Sequence, residues 1–236
     1  MEDLFGSIYK NKKVLVTGNT GFKGSWLAFW LTKLGANVKG ISLEPNTNPN
    51  HFNLLNLPIE TNIIDIRDYE KLKTCIASIN PDIIFHLAAQ PLVRCSYKET
   101  LKTFNTNVIG TANIFEIARQ HTENLKAIIN ITTDKCYENI ETNRAYLETD
   151  HLGGYDPYSA SKACSEIITS SYRNSFFNKN DYNKTHSILL ASARAGNVIG
   201  GGDWSKDRLI PDLVKATKKG NHTIIRSPDA IRPWQH

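Results

Sequence analysis

Seven residues near the start of the chain, Gly18-Asn19-Thr20-Gly21-Phe22-Lys23-Gly24, set three glycines three apart, directly after the apolar run Val14–Thr17 and directly before a helical pattern. A strand that turns sharply into a helix while leaving backbone N–H groups open to an anion needs this spacing in this context. Gly18 permits the turn, Gly21 lets backbone approach a pyrophosphate, and Gly24 lets the helix pack on the strand. Phe22 and Lys23 stand at the helix start, where the lysine adds a charge-assisted contact. Beyond them Trp26, Leu27, Trp30, Leu31 and Leu34 form one apolar stripe, and Gly35 occupies the C-terminal cap position.

The same alternation runs on. Val38–Leu43, Asn62–Asp65, Ile83–Leu87, Ala127–Thr132 and Ser187–Ala193 are apolar runs suited to burial on both faces, and helical patterns cover Tyr69–Ile79, Leu101–Gln120 and Tyr158–Asn174. Asp156 is the expected N-cap of the last helix and Pro157 its first residue. Six parallel strands with crossover helices make an α/β, Rossmann-type doubly wound sheet, which binds ligands along the carboxyl ends of its strands. Residues 1–199 hold this domain, and from Gly200 onward the periodicity fades into Gly, Asp and Pro.

Charge and composition narrow the partners. The 28 basic and 23 acidic residues leave a net charge of +5. Residues 194–236 carry eight of the basic residues against four acidic ones, so that stretch should attract an anion. Nucleic acid is excluded because those basic residues alternate with Asp203, Asp207, Asp212 and Asp229 rather than forming a stripe. No uncharged apolar run reaches the ~18 residues of a membrane span, and Met1-Glu2-Asp3 lacks the layout of a signal peptide, so a cytoplasmic location is expected. Cys75, Cys95, Cys136 and Cys164 include no Cys-x-x-Cys pair, which argues against a disulfide framework and against a metal site.

The strand ends carry chemistry. Glu44 lies twenty residues past Gly24, where a carboxylate binds ribose hydroxyls, and this favours NAD over NADP. Asp65-Ile66 closes the third strand, with Asp65 able to accept from adenine, while Ala88-Ala89-Gln90 after the fourth lets a cofactor lie against the backbone. His86 reads as a satisfied core histidine. Tyr158 and Lys162 stand one helical turn apart, so the ammonium can stabilise a phenolate whose unperturbed pKa is ~10. Thr132-Thr133-Asp134-Lys135-Cys136-Tyr137 ends the fifth strand and groups a hydroxyl, a carboxylate and an ammonium, a set able to move several protons. For Lys135 a solvent-facing turn is the competing reading.

These motifs, with Thr106-Asn107, resemble the extended short-chain dehydrogenase/reductase superfamily over essentially the whole chain. The Thr132–Tyr137 run, Arg194-Ala195-Gly196-Asn197-Val198-Ile199-Gly200-Gly201-Gly202-Asp203-Trp204 and Arg232-Pro233-Trp234-Gln235-His236 resemble the branch that dehydrates CDP-glucose. The dTDP-glucose branch carries Asp-Glu where this chain has Asp134-Lys135. The resemblance implies a prosthetic NAD, with Asn107 in its site, and CDP-glucose as the substrate. It also implies catalysis by Tyr158 with Thr133, and Lys135 and Asp134 as the pair for elimination, Lys135 acting as a desolvated neutral base or only positioning the sugar. Asn197 and Arg208 would lie near the nucleotide diphosphate, Arg232 would clamp it, and Arg194 would either join them on the substrate or serve structurally. The resemblance further implies a homodimer and a small substrate-binding domain that begins in 200–236 and is incomplete there. A nucleotide-sugar 4-epimerase, which shares the loop, Thr133, Tyr158 and Lys162, and a dTDP-glucose-type dehydratase stay open as alternatives; a non-catalytic dinucleotide sensor is a remote one.

Overall fold

Strands β1 (Lys13–Thr17), β2 (Asn37–Ser42), β3 (Glu60–Ile63), β4 (Ile83–His86), β5 (Ala127–Ile131) and β6 (Leu189–Ala193) lie parallel in one sheet, in the order β3-β2-β1-β4-β5-β6. The order reverses between β1 and β4, which opens the crevice where such sheets take ligands. The computed structural model describes residues 3–141, 143–225 and 227–236; Met1 and Glu2, on which the signal-peptide reading rests, lie outside the described residues. Between the strands run α1 (Phe22–Lys33), α2 (His51–Leu55), α3 (Tyr69–Ile79), α4 (Val93–Lys98), α5 (Thr100–Phe104), α6 (Gly110–His121) and α7 (Pro157–Ser175). They are followed by α8 (Leu209–Lys218), and a separate two-residue pair joins β7 (Asn197–Val198) to β8 (Trp234–Gln235).

The uninterrupted apolar runs are explained by a core on each face. Successive strand side chains point to opposite sides. Leu15, Ile41, Ile84, Ile128 and Leu190 therefore pack with Leu72, Ile76, Ile114, Phe115 and Ile117 on one face. Val14, Val16, Val38 and Ile83 pack with Ala28 and Leu31 on the other.

Several sequence expectations shift. The third strand ends at Ile63 instead of Asp65, because Asp65 opens a turn in which its carbonyl accepts from the Asp68 N–H and its carboxylate from the Arg67 N–H. The inward stripe of α1 is Gly24, Ser25, Ala28 and Leu31, leaving Trp26 and Trp30 partly in solvent at 41 % and 45 %. Small residues face the sheet because the helix packs closely on β1, with no room for indoles. The helix expected over Leu101–Gln120 is α5 and α6 joined by a π-turn at Asn105–Ile109, which rotates Asn107 inward. Helix α8 was concealed by Pro211 and by the Gly- and Asp-rich run before it.

Candidate active site

The glycine-rich loop turns out of β1 with Gly18 at φ +74°, where a Cβ would stand 2.8 Å from the Ala88 nitrogen. A Cβ on Gly24 would come within 2.1 Å of the Gly18 carbonyl oxygen, so this crossing of helix start and strand end admits glycine alone. Thr20 fastens the loop to the end of β2 by bonds to Ser42 Oγ (2.6 Å) and the Leu43 carbonyl (2.8 Å). The result is a bare backbone cradle at the N-terminus of α1, a surface suited to a pyrophosphate.

Around the cradle the nearby strand ends are braced from below. Thr17 Oγ1 accepts the N–H groups of Leu87 and Ala88 and pairs with His86 Nδ1 at 2.7 Å. His86 Nε2 meets Thr111 Oγ1 at 3.1 Å, and Thr111 gives its own hydrogen to the Asn107 carbonyl. Thr111 is thereby the acceptor, His86 carries its proton on Nε2, and burial, then the charge of Lys162, pushes it down to about 3. It is a neutral core histidine, as its sequence setting implied. Asn107 spends its whole amide inside the protein, on the backbone of Gln90 at both ends and on Ser161 Oγ. It therefore holds the Ala88-Ala89-Gln90 segment, expected along the path of the cofactor, in place.

Asp65 lines a cavity of about 470 Å³ with Arg67, Asp68, Asn105 and Ile109. The Arg67 guanidinium grips its carboxylate and holds it below the usual range. The Ile66 side chain is buried in the core against Gly110, so only its backbone can face that cavity. Glu44 lies beyond the end of β2 and is exposed.

Helix α7 begins where Asp156 accepts from the Ser159 N–H at 3.0 Å, and it points Tyr158 and Lys162 at the end of β5. Tyr158 hydrogen-bonds with Thr133, and Lys162 Nζ donates to the Ile131 carbonyl at 3.1 Å. Around Tyr158 and Lys162 burial is the dominant influence. Burial drives Tyr158 up to about 12, opposed by the Thr133 hydrogen bond and by the charge of Arg208, and it brings Lys162 down to about 7 with help from Lys23. Both side chains are thus pressed towards their neutral forms.

Next to Thr133 a short 3₁₀ turn, Asp134–Cys136, presents the carboxylate and ammonium. Thr133 Oγ1 donates to Asp134 Oδ1 at 3.0 Å, and Lys135 Nζ lies 3.4 Å from the same oxygen and 3.2 Å from Asn197 Oδ1. Lys135 is 31 % exposed and ion-paired, which differs from the desolvated setting expected of it. Lys23 reaches the same spot: burial lowers its pKa, Arg208 and Lys135 add to this, and Asp134 opposes. Lys23, Lys135 and Arg208 therefore converge around Asp134, with Asp203 holding Arg208 at 2.9 Å. Cations in excess of carboxylates at a strand-end crevice make an anion-binding site.

Of the two roles open for Arg194, substrate contact and structure, its contacts favour the structural one. Its guanidinium bonds Glu166 Oε2 at 3.1 Å and the Glu148 carbonyl, and it stacks over the Tyr137 ring at 4.7 Å. Glu166 was missed, although it follows Tyr158 and Lys162 at the same four-residue spacing and so shares their face. Arg232 is exposed and donates to its own neighbour, the Ile231 carbonyl, while Pro233 and Gln235 pair with the Asn197–Ile199 backbone. The four cysteines are free. Among the described residues no group of three or more His, Cys, Asp or Glu side chains is placed to hold a metal, and no helix is long and apolar enough to cross a membrane.

Residues 15–236 match the family described as GDP-mannose 4,6 dehydratase. The chain is 53% identical to the CDP-glucose 4,6-dehydratase of Salmonella typhimurium over 98% of its own length and 64% of that protein's. It is 31% identical to the dTDP-D-glucose 4,6-dehydratase of Dictyostelium discoideum, over 86% of this chain and 47% of that one. Among solved structures it is similar to the UDP-glucose 4-epimerase of Thermus thermophilus in complex with NAD, with a TM-score of 0.73 and 26% identity over 89% of this chain and 64% of that one. The chain spans less than two thirds of the length of each of these relatives.

Proposed function

The chain belongs to the GDP-mannose 4,6 dehydratase family, and from that premise we propose that the protein is an NAD-dependent lyase that turns CDP-glucose into CDP-4-keto-6-deoxyglucose and water. The observation that carries this reading is a second proton-moving pair, Asp134 and Lys135, joined through Thr133 to Tyr158. Epimerisation at one carbon needs a single acid–base group, whereas elimination across C5 and C6 has two further protons to move. The 53% identity to a CDP-glucose 4,6-dehydratase supports the choice of sugar nucleotide.

The cradle fits a dinucleotide, because the space a Cβ would fill at Gly18 and Gly24 is already taken by backbone. Gly18, Gly21, Phe22, Lys23 and Gly24 would hold the pyrophosphate, Asp65 and the Ile66 backbone the adenosine end, and Ala88-Ala89 the path between. Glu44 would take the ribose hydroxyls. The chemistry that NAD supplies when bound is reversible uptake of a hydride. Tyr158 Oη, raised to about 12 by burial, would remove the proton of the sugar 4-hydroxyl once the positive charge of bound NAD⁺ favours its phenolate, and Thr133 orients the same oxygen. Within their ion pair Lys135 first passes a proton to Asp134; the neutral Lys135 Nζ then takes the C5 proton that the new ketone acidifies, and Asp134 delivers its proton to the C6 hydroxyl as it leaves as water. A proton then returns to C5 as the hydride taken from C4 is given back at C6, so no external oxidant is consumed.

Substrate capture falls to Arg208 and Asn197, with Arg232 following from residues 200–236, which begin the substrate-binding part after the dinucleotide-binding residues 1–199. Exposed Leu101, Ile109 and Ile167, at the start of α5, the end of the π-turn and on α7, support pairing into a homodimer. Four free thiols accord with a reducing compartment such as the cytoplasm. The test is incubation with CDP-glucose, dTDP-glucose and UDP-glucose, without added NAD, followed by mass spectrometry. Loss of one water from CDP-glucose alone is expected. A C4 epimer without loss of water would transfer the chain to the epimerases.

A further inference from the structure

Behind the glycine-rich loop lies a joint that the proposed reaction leaves unused. His51, the first residue of α2, is 8 % exposed, and its Nδ1 stands 2.8 Å from Ser25 Oγ on α1. Ser25 gives its only hydroxyl hydrogen to the Phe22 carbonyl at 3.0 Å, so Nδ1 carries a proton and donates it to Ser25. The imidazole also stacks on the Trp26 indole, with centroids 4.4 Å apart and planes 26° apart.

From the opposite side the run Gly200-Gly201-Gly202 rests on this joint. A Cβ on Gly202 would come within 2.4 Å of the imidazole, so backbone lies directly against the ring. Trp26 Nε1 donates to the Gly201 carbonyl at 2.9 Å, and a Cβ on Gly200 would stand 3.3 Å from the Phe22 ring. Three successive glycines lose more conformational freedom on ordering than any other tripeptide, so an unanchored run would leave the next residues unfixed. Those residues include Asp203 and its partner Arg208, whose charge bears on Tyr158. At the far end of the segment Arg94 on α4 pairs with Asp207 at 2.5 Å.

We infer that His51 is a positioning residue: it clamps the Gly200–Gly202 run against α1, the helix that forms the cofactor cradle, and so presets Arg208 for the substrate diphosphate. This rests on the reading of Arg208 as a substrate group given above. Order established before binding lowers the cost of binding, so loss of the clamp weakens the nucleoside diphosphate and spares the dinucleotide.

The experiment is calorimetric titration of the full chain with CDP in the presence of saturating NAD, and separately with NAD. His51→Ala should weaken CDP about tenfold, the scale of one lost hydrogen bond, while NAD stays within about twofold. His51→Asn, which restores an N–H near the Nδ1 position, should recover to within about threefold of wild type. Trp26→Phe keeps a ring for the stack but loses the bond to Gly201, and should show the same selectivity. Equal losses of CDP and NAD in His51→Ala, or CDP binding untouched in it, would overturn the inference alone. Wild-type protein that binds NAD but no CDP would overturn the substrate reading and the inference with it.

Discussion

Replacing Arg194 by Met separates a structural arginine from a substrate arginine. The Arg194–Glu166 pair is largely out of solvent, with the side chains 18% and 4% exposed, and Glu166 also accepts from Thr132 and from Ser192 Oγ at 2.7 Å. Removing one member of a buried pair costs about 3–5 kcal/mol because the other charge is left uncompensated. Glu166 keeps two hydroxyl donors and can take up a proton, which places the loss near the lower end, about 3 kcal/mol. The lost contact of the guanidinium with Tyr137 adds ~0.5 kcal/mol. At about 2–4 °C per kcal/mol for a chain of this size, the melting temperature should fall by roughly 7–14 °C. Burial opposes the charged carboxylate of Glu166, but hydrogen bonds from Arg194, Thr132 and Ser192 more than offset it and leave the pKa below the ordinary value. An acid depressed in the fold stabilises above its unfolded pKa of ~4.3 and loses that contribution as pH falls through the folded value. The gap between wild type and Arg194→Met should therefore be full at pH 7 and close below about pH 4. The assay is thermal melting by circular dichroism across that range, with CDP titration well below the transition. A variant that melts like wild type and loses CDP affinity tenfold would refute the structural assignment.

Three other substitutions probe the site. Lys162, at about 7 in the fold against ~10.4 unfolded, binds fewer protons folded than unfolded between those values, so stability rises with pH there. Lys162→Met should flatten that rise in melts between pH 7 and 9, and an unchanged profile would show that the ammonium is not desolvated. Lys135→Met should slow hydrogen–deuterium exchange at C5 of the sugar by ~10²-fold or more, and undiminished exchange would remove Lys135 from the base role. Gly24→Ala forces backbone apart where a Cβ would lie 2.1 Å from the Gly18 oxygen, and NAD affinity should drop at least about tenfold; calorimetry showing normal affinity would mean that the cradle is not the dinucleotide site.

The central strands β1 and β4 were readable because they are buried on both faces and so carry apolar runs, whereas the edge strands β3 and β6 keep exposed positions, and β3, Glu60-Thr61-Asn62-Ile63, is not the doubly buried apolar run expected of it. The helix faces were less readable. In α1 the eye follows Trp26 and Trp30, yet close packing on β1 selects Gly24, Ser25 and Ala28 for the inner side. Bulk marks where a helix touches loosely, and the absence of bulk marks where it touches tightly, so a stripe chosen by hydrophobicity rotates away from the sheet. Trp26 then serves a different surface, the joint with His51 and Gly201, which no local pattern announces because its parts lie 175 residues apart in sequence.

For the site, spacing disclosed which side chains meet but not the charge they carry. Tyr158, Lys162 and Glu166 follow one another at a helical period and do share a face; the period says nothing of the medium around them. That medium is set by Ile131, Thr132 and Ser192 on β5, just beyond it, and on β6, and it moves the phenol and the ammonium in opposite directions on the pH scale, each towards neutrality. The cations that do face the phenol come from outside the motif, Arg208 above all, and their placement depends on a glycine run held by residues of α1 and α2. A reactive pair can therefore be written into five residues, whereas its protonation is written into the whole strand-end crevice. Substitutions as distant as His51→Ala should act on CDP binding without touching either member of the pair.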